Sequence, residues 1–114
     1  MAIPSKTFQP TLTLTIKATM DLPAYRFVDY QGKLCDDNQK ALGVCVGKWS
    51  SGSYAGIIVL GTAIVEAGGT INAGDKVASD AYGRAKVATT GGEVNGRALN
   101  SANIGEFVRI LLVP

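Results

Sequence analysis

Thr11-Leu12-Thr13-Leu14-Thr15-Ile16-Lys17 alternates polar and apolar side chains with a period of two, and its polar face is β-branched, the pattern of a strand with one apolar face. Ser5-Lys6-Thr7-Phe8-Gln9-Pro10 before it has no period, so residues 1–20 read as an arm leading into a first strand. Ten extended residues reach about 33 Å, far enough for Met1–Pro10 to touch something outside its own domain. Further along, the alternation gives way to continuous apolar runs, Ile57–Leu60 and Phe107–Val113. Runs of that kind suit strands buried on both sides rather than strands with one wet face.

From Leu22 the pattern recurs. Leu22–Val28 matches Ile71–Val77 in its apolar positions at an offset of 49, and Ala55–Val59 matches Ile104–Val108 at the same offset. Between them Gly32-Lys33 corresponds to Gly83-Arg84, and Lys40-Ala41-Leu42 to Arg97-Ala98-Leu99. The landmarks keep their order, which predicts an internal duplication with units at 22–60 and 71–113, joined by Glu66–Thr70. Each unit is expected to supply four short strands, and two such halves close on each other into a small all-β barrel or sandwich spanning residues 21–114, because closure removes exposed strand edges. Unit lengths differ at Gly47–Tyr54 in the first half and around Thr89–Gly92 in the second. Loops that vary on a repeated scaffold are where partner contacts concentrate. A hairpin is expected from Lys33–Cys35 to Ala41–Val46 across the Asp36–Lys40 turn, and a helical turn at Ser101-Ala102-Asn103.

Composition supports many turns and few helices: 14 of 114 residues are Gly, nearly double the ordinary share, and the chain is 46% hydrophobic, enough for one core. Eleven Lys and Arg against nine Asp and Glu leave a net charge of +2, without the basic excess usual in nucleic-acid binders. Tyr25-Arg26-Phe27 and Lys48-Trp49 interleave basic and aromatic residues only locally, so no nucleic-acid partner is expected. The apolar stretch Ala55–Val65 contains Gly56, Gly61 and Thr62 and falls short of the ~18 to 20 residues a helical span requires, so no membrane partner is expected either. Pro4, Lys6 and Pro10 stand where a secretory signal needs an unbroken apolar segment, which points to a cytoplasmic product.

Candidate chemistry is sparse. There is no histidine, which removes the usual neutral-pH base and the commonest zinc ligand. In the expected hairpin Cys35 and Cys45 lie roughly 13 Å apart at ~3.3 Å per residue, beyond the reach of a disulfide, so both read as buried free thiols. Asp29, Asp36 and Asp37 read as solvated turn carboxylates bonding their own backbone rather than as an acid–base pair. Asp36-Asp37-Asn38 lacks the spacing and the glycine of a calcium loop. Gly43–Trp49 fails as a phosphate loop, with three residues between its glycines and Trp49 where a hydroxyl is needed. No catalytic residue, metal set or cofactor site emerges, so an enzyme is not expected. Trp49 and Tyr54, bracketing a Ser-Gly-Ser loop, are either an interface anchor or, for Trp49, a plug at the barrel end.

Gly61–Gly69 followed by Ile71–Val77, Asp80–Ala85, Gly96–Leu99 and Gly105–Leu112 resembles the small capsid cement or head decoration proteins of tailed bacteriophages, over about residues 20 to 113. The resemblance implies a β-rich, non-enzymatic virion protein, made in the host cytoplasm, that binds the exterior of the capsid as a trimer, with the major capsid protein and its own copies as partners. On that reading the arm carries attachment through Thr7, Phe8, Thr11, Leu12, Leu14 and Ile16, adding a strand to the shell, while a competing reading has Thr11–Lys17 complete its own barrel. A phage tail or baseplate part, or a small ligand-binding β module, are the alternative functions.

Overall fold

The structure is a computed structural model and describes residues 7–114. The alternating segment forms β1 (Pro10–Lys17). It is followed by β2 (Arg26–Val28), β3 (Gly43–Cys45), β4 (Tyr54–Glu66), β5 (Lys76–Ser79), β6 (Ala85–Val87), β7 (Gly96–Ala98) and β8 (Phe107–Leu112). No helix occurs among the described residues. Hydrogen bonding links the strands in the order β2-β3-β4-β8-β7-β5-β6, with β1 added to β4. The ends of this path nearly meet. Ala67, just past β4, makes a parallel bridge to Ala85 at the start of β6, and the Phe27 N–H donates to the Gly83 carbonyl at 2.7 Å. The result is an almost closed all-β barrel.

Strand β4 holds it together. Its first half pairs with β1 and β3, its second half with β8. The changeover falls at Gly61, whose φ of +96° is open only to glycine at low cost, and where a Cβ would collide with the Gln9 carbonyl oxygen. Ile57 and Ile58 point to opposite faces and enter separate cores. Ile58 joins Phe27, Val44, Val65, Val77, Val108 and Ile110, while Ile57 joins Ala18, Leu22, Val28, Cys45 and Ala55. Burial on both sides accounts for the unbroken apolar run at this point, each such side chain contributing roughly 1.5–3 kcal/mol. The other run behaves differently. In β8, Val108, Ile110 and Leu112 are buried, but Leu111 is 47% exposed and Arg109 half-buried, so this strand has a wet face that its apolar sequence concealed.

One turn is built twice. The Asp29 carboxylate accepts the N–H groups of Gln31 and Lys33 at 2.9 and 3.1 Å, and the Asp80 carboxylate those of Tyr82 and Arg84 at 2.9 and 2.8 Å. Gly32 and Gly83 take positive φ in the two turns. Pairing recurs as well: Leu22 bridges Trp49 as Ile71 bridges Ala102, and Val28 lies between Leu34 and Gly43 as Val77 lies between Val87 and Gly96. Spatially, Gly43–Cys45 therefore corresponds to Gly96–Ala98 rather than Lys40–Leu42 to Arg97–Leu99, a shift the shared Ala-Leu dipeptide hides.

Two local expectations fail. Cys35 donates its N–H to the Phe27 carbonyl, on the side of β2 away from β3, so no hairpin joins Lys33–Cys35 to Ala41–Val46. The intervening segment instead packs against the second half: Lys40 Nζ donates to the Val94 and Val113 carbonyls at 2.8 Å, and Asn95 receives the Ala41 N–H. Ala102 is an isolated bridge to Ile71, not part of a helical turn.

Candidate functional site

The free edge of β1 is the first candidate. Thr13 to Lys17 pair in register with Ile58 to Tyr54, and a bulge lies between Leu12 and Thr13 where β4 passes its extra residue, Val59. Strand β1 has no partner but β4 among the described residues, which leaves its other backbone edge open. Leu12 and Leu14 are 43% and 41% exposed, beside Leu60 at 36%, while Ile16 is half-buried against the core under Trp49. Thr7 and Thr11 are exposed, and Phe8 folds back on the main core. The arm residues ahead of Thr7 lie outside the described residues.

Edge strands in proteins that act alone are normally short, charged or covered, because a bare edge templates a further strand. This one is eight residues long and carries no charge until Lys17. Its backbone can hydrogen-bond an incoming extended segment, and the two leucines can enter shallow apolar pockets on the same partner.

The loop aromatics separate. Trp49 exchanges both backbone hydrogen bonds with Leu22 at 2.8 and 3.0 Å, and its ring is half-buried, packed over Gly56 of β4 and against Gly47. Tyr54, 69% exposed, stands free. Tyr30 and Tyr82 project at 63% from the twin turns, the latter with the Arg84 guanidinium 5.3 Å from its ring centre. Sequence gave no reason to single out either tyrosine.

The remaining candidates are structural. Tyr25 meets Phe107 edge-on at 5.0 Å, Arg26 pairs with Glu66 at 3.4 Å, and Phe27 is buried, so that triplet offers no stacking groove. Asp29 bonds its own turn as expected but is fully buried rather than solvated. Cys35 and Cys45 are free and buried, and burial pushes both thiols up to about 11 from 9.0, far from a reactive thiolate. The Sγ of Cys35 donates to the Gln39 carbonyl and that of Cys45 to the Pro23 carbonyl. An open groove of about 320 Å³ between Asp21, Leu22, Pro23, Ala24 and Lys48 has no aromatic side chain in its lining. No cluster of His, Cys, Asp or Glu suited to a metal occurs among the described residues.

Sequence reasoning also passed over the outward cations Lys76, Arg97 and Arg109. The strands carrying the first two are too short to display a period, though Arg109 and Leu111 do alternate with Val108 and Ile110.

A family model described as phage cement protein matches residues 6–112. Among solved structures, the N base of the head fiber gp8.5 of bacteriophage phi29 superposes with a TM-score of 0.75 at 23% identity, covering 90% of this chain and 93% of that one. The likeness extends the all-β barrel to a known fold. No curated protein matches the sequence.

Proposed function

The chain belongs to the phage cement protein family and is a structural, capsid-associated part of a phage virion, and from that premise we propose that it binds the outer surface of the capsid as a homotrimer and stabilises the shell. Its partners on this reading are the major capsid protein and its own copies, it works without an enzymatic step, and it reaches the virion exterior after synthesis in the host cytoplasm. The observation that carries attachment is the bare edge of β1, uncharged from Pro10 to Ile16 and flanked by exposed Leu12 and Leu14.

Thr7, Phe8 and Thr11 start the attachment segment, and Leu12, Leu14 and Ile16 continue it. Because Thr13–Lys17 already bond β4 along one edge, the strand does not peel away to bind; it arrives preorganised, which lowers the ordering cost of docking. A trimer is a closed ring of identical heterologous contacts and suits a local three-fold position on an icosahedral shell. Three arms in one ring bind far more tightly than one, since the second and third contacts are intramolecular. Whatever binds only the assembled shell stabilises it by mass action.

Deletion of residues 2–10, measured by co-sedimentation with empty shells, tests the arm. Loss of at least tenfold in affinity is the expected result, together with a lower melting temperature, because Phe8 packs on the core and Gln9 exchanges hydrogen bonds with Thr62. Unchanged shell binding eliminates attachment through the arm.

A further inference from the structure

We propose that the outward face of β5, β7 and β8 is a second docking surface, made for a carboxylate-rich patch of the capsid shell protein; this rests on the reading of the chain as a capsid-bound part. Ladder pairing sets Lys76 opposite Arg97, Arg97 opposite Leu111, and Leu111 opposite Thr62, a single row across four strands. Directly opposed residues share a face of the sheet. In the next row the Leu99 N–H bonds the Arg109 carbonyl at 2.7 Å, which brings a second leucine and a third cation to the same side. Leu111 and Leu99 are 47% and 40% exposed.

The charges on this face lack partners. Among the described residues the ion pairs are Arg26–Glu66, Arg84–Asp80 and Lys86–Asp37, and none involves Lys76, Arg97 or Arg109. Arg97 donates only to the Gly74 carbonyl. Like charges set directly opposite on a ladder oppose folding, and among the described residues neither Lys76 nor Arg97 has an ion-pair partner. An anionic surface brought against the row supplies one. With a net charge of only +2 over the whole chain, this concentration is local, not a general basic character.

The leucines decide what kind of anion. Cations alternating with exposed leucines suit a protein surface, with an apolar centre and charged surroundings. A single-stranded nucleic acid calls for aromatic platforms, and the aromatic ring on this face of β8, Phe107 at the other end of the strand, is engaged by Tyr25. Location fits too. Thr62, at the far end of the row, accepts the Gln9 N–H on its hydroxyl at 2.7 Å, so the face is continuous with the start of the arm and can meet the same partner.

The test is co-sedimentation of the full chain with empty shells across 50 to 300 mM salt, comparing wild type with Lys76→Glu and with Lys76→Gln/Arg97→Gln. Lys76→Glu turns the like pair into an opposite one, so it is expected to melt no lower than wild type while binding shells at least tenfold more weakly; wild-type binding weakens as salt rises. The neutral double variant decides the matter if the single one folds poorly. If both variants bind shells as wild type does, this face is not a contact, although the capsid reading stands. A wild type that never enters the pellet contradicts the capsid reading and this surface with it. Salt-sensitive binding of duplex DNA that disappears in the variants assigns the face to nucleic acid and overturns the proposal.

Discussion

Cys35 and Cys45 are where single residues respond most plainly to solution conditions. Both thiols titrate higher in the folded chain than in the unfolded one because burial disfavours the thiolate. Below pH 9 both states hold the proton and this contribution to stability is complete; between pH 9 and about 11 the unfolded chain releases protons the folded chain retains, so stability falls as pH rises. The loss is at most about 1.4 kcal/mol per pH unit for each thiol. Urea unfolding at pH 7 and pH 10.5 is expected to show a larger drop for wild type than for Cys35→Ala/Cys45→Ala; equal drops contradict it. That these cysteines stay free was legible in the sequence, but the hairpin invoked for it does not form. The burial of Asp29 was not legible, because an Asx turn reads the same whether it is solvated or, as here, enclosed by the fold.

At the scale of elements, β1 and β4 depend on Gly61. An alanine there must hold φ near +96° and displace Gln9 and Thr11, so the start of β1 is expected to lift from β4 at a cost of roughly 1–3 kcal/mol. Hydrogen exchange checks this: in Gly61→Ala the amides of β1 that bond β4 exchange faster than in wild type while those of β7 and β8 are unchanged, and uniform acceleration or none contradicts a local hinge. Strand β1 was the most legible element, since the seven alternating residues Thr11–Lys17 state both the type and the face. The short strands were not, because three residues display no period, and continuous apolar sequence meant different things in two places. Ile57 and Ile58 serve two cores, whereas Leu111 shares a wet face with Arg97 and Lys76. Only the register of neighbouring strands separates these cases. Trp49 likewise took its role from a distant partner, Leu22, with which it exchanges backbone hydrogen bonds.

For the whole molecule, the doubled Asp-x-x-Gly turn and the recurring order of strand pairs make a rigid barrel whose closure leaves one long edge, β1, without a partner among the described residues. Glycine punctuation and the order of landmarks made the all-β class readable in advance. The proposed trimer and its proposed shell contact would rest on contacts between chains, which intrachain periodicity does not encode. Adhesion of the full chain to a protein lattice is most directly tested by the rupture temperature of emptied phage shells, followed by light scattering as the protein is added. Rupture is expected to shift upward with added protein and to plateau once the sites are filled, with the protein recovered in the shell pellet at a multiple of three copies per site. Shells that rupture at the same temperature at every concentration, with the protein left in the supernatant, contradict a cement role.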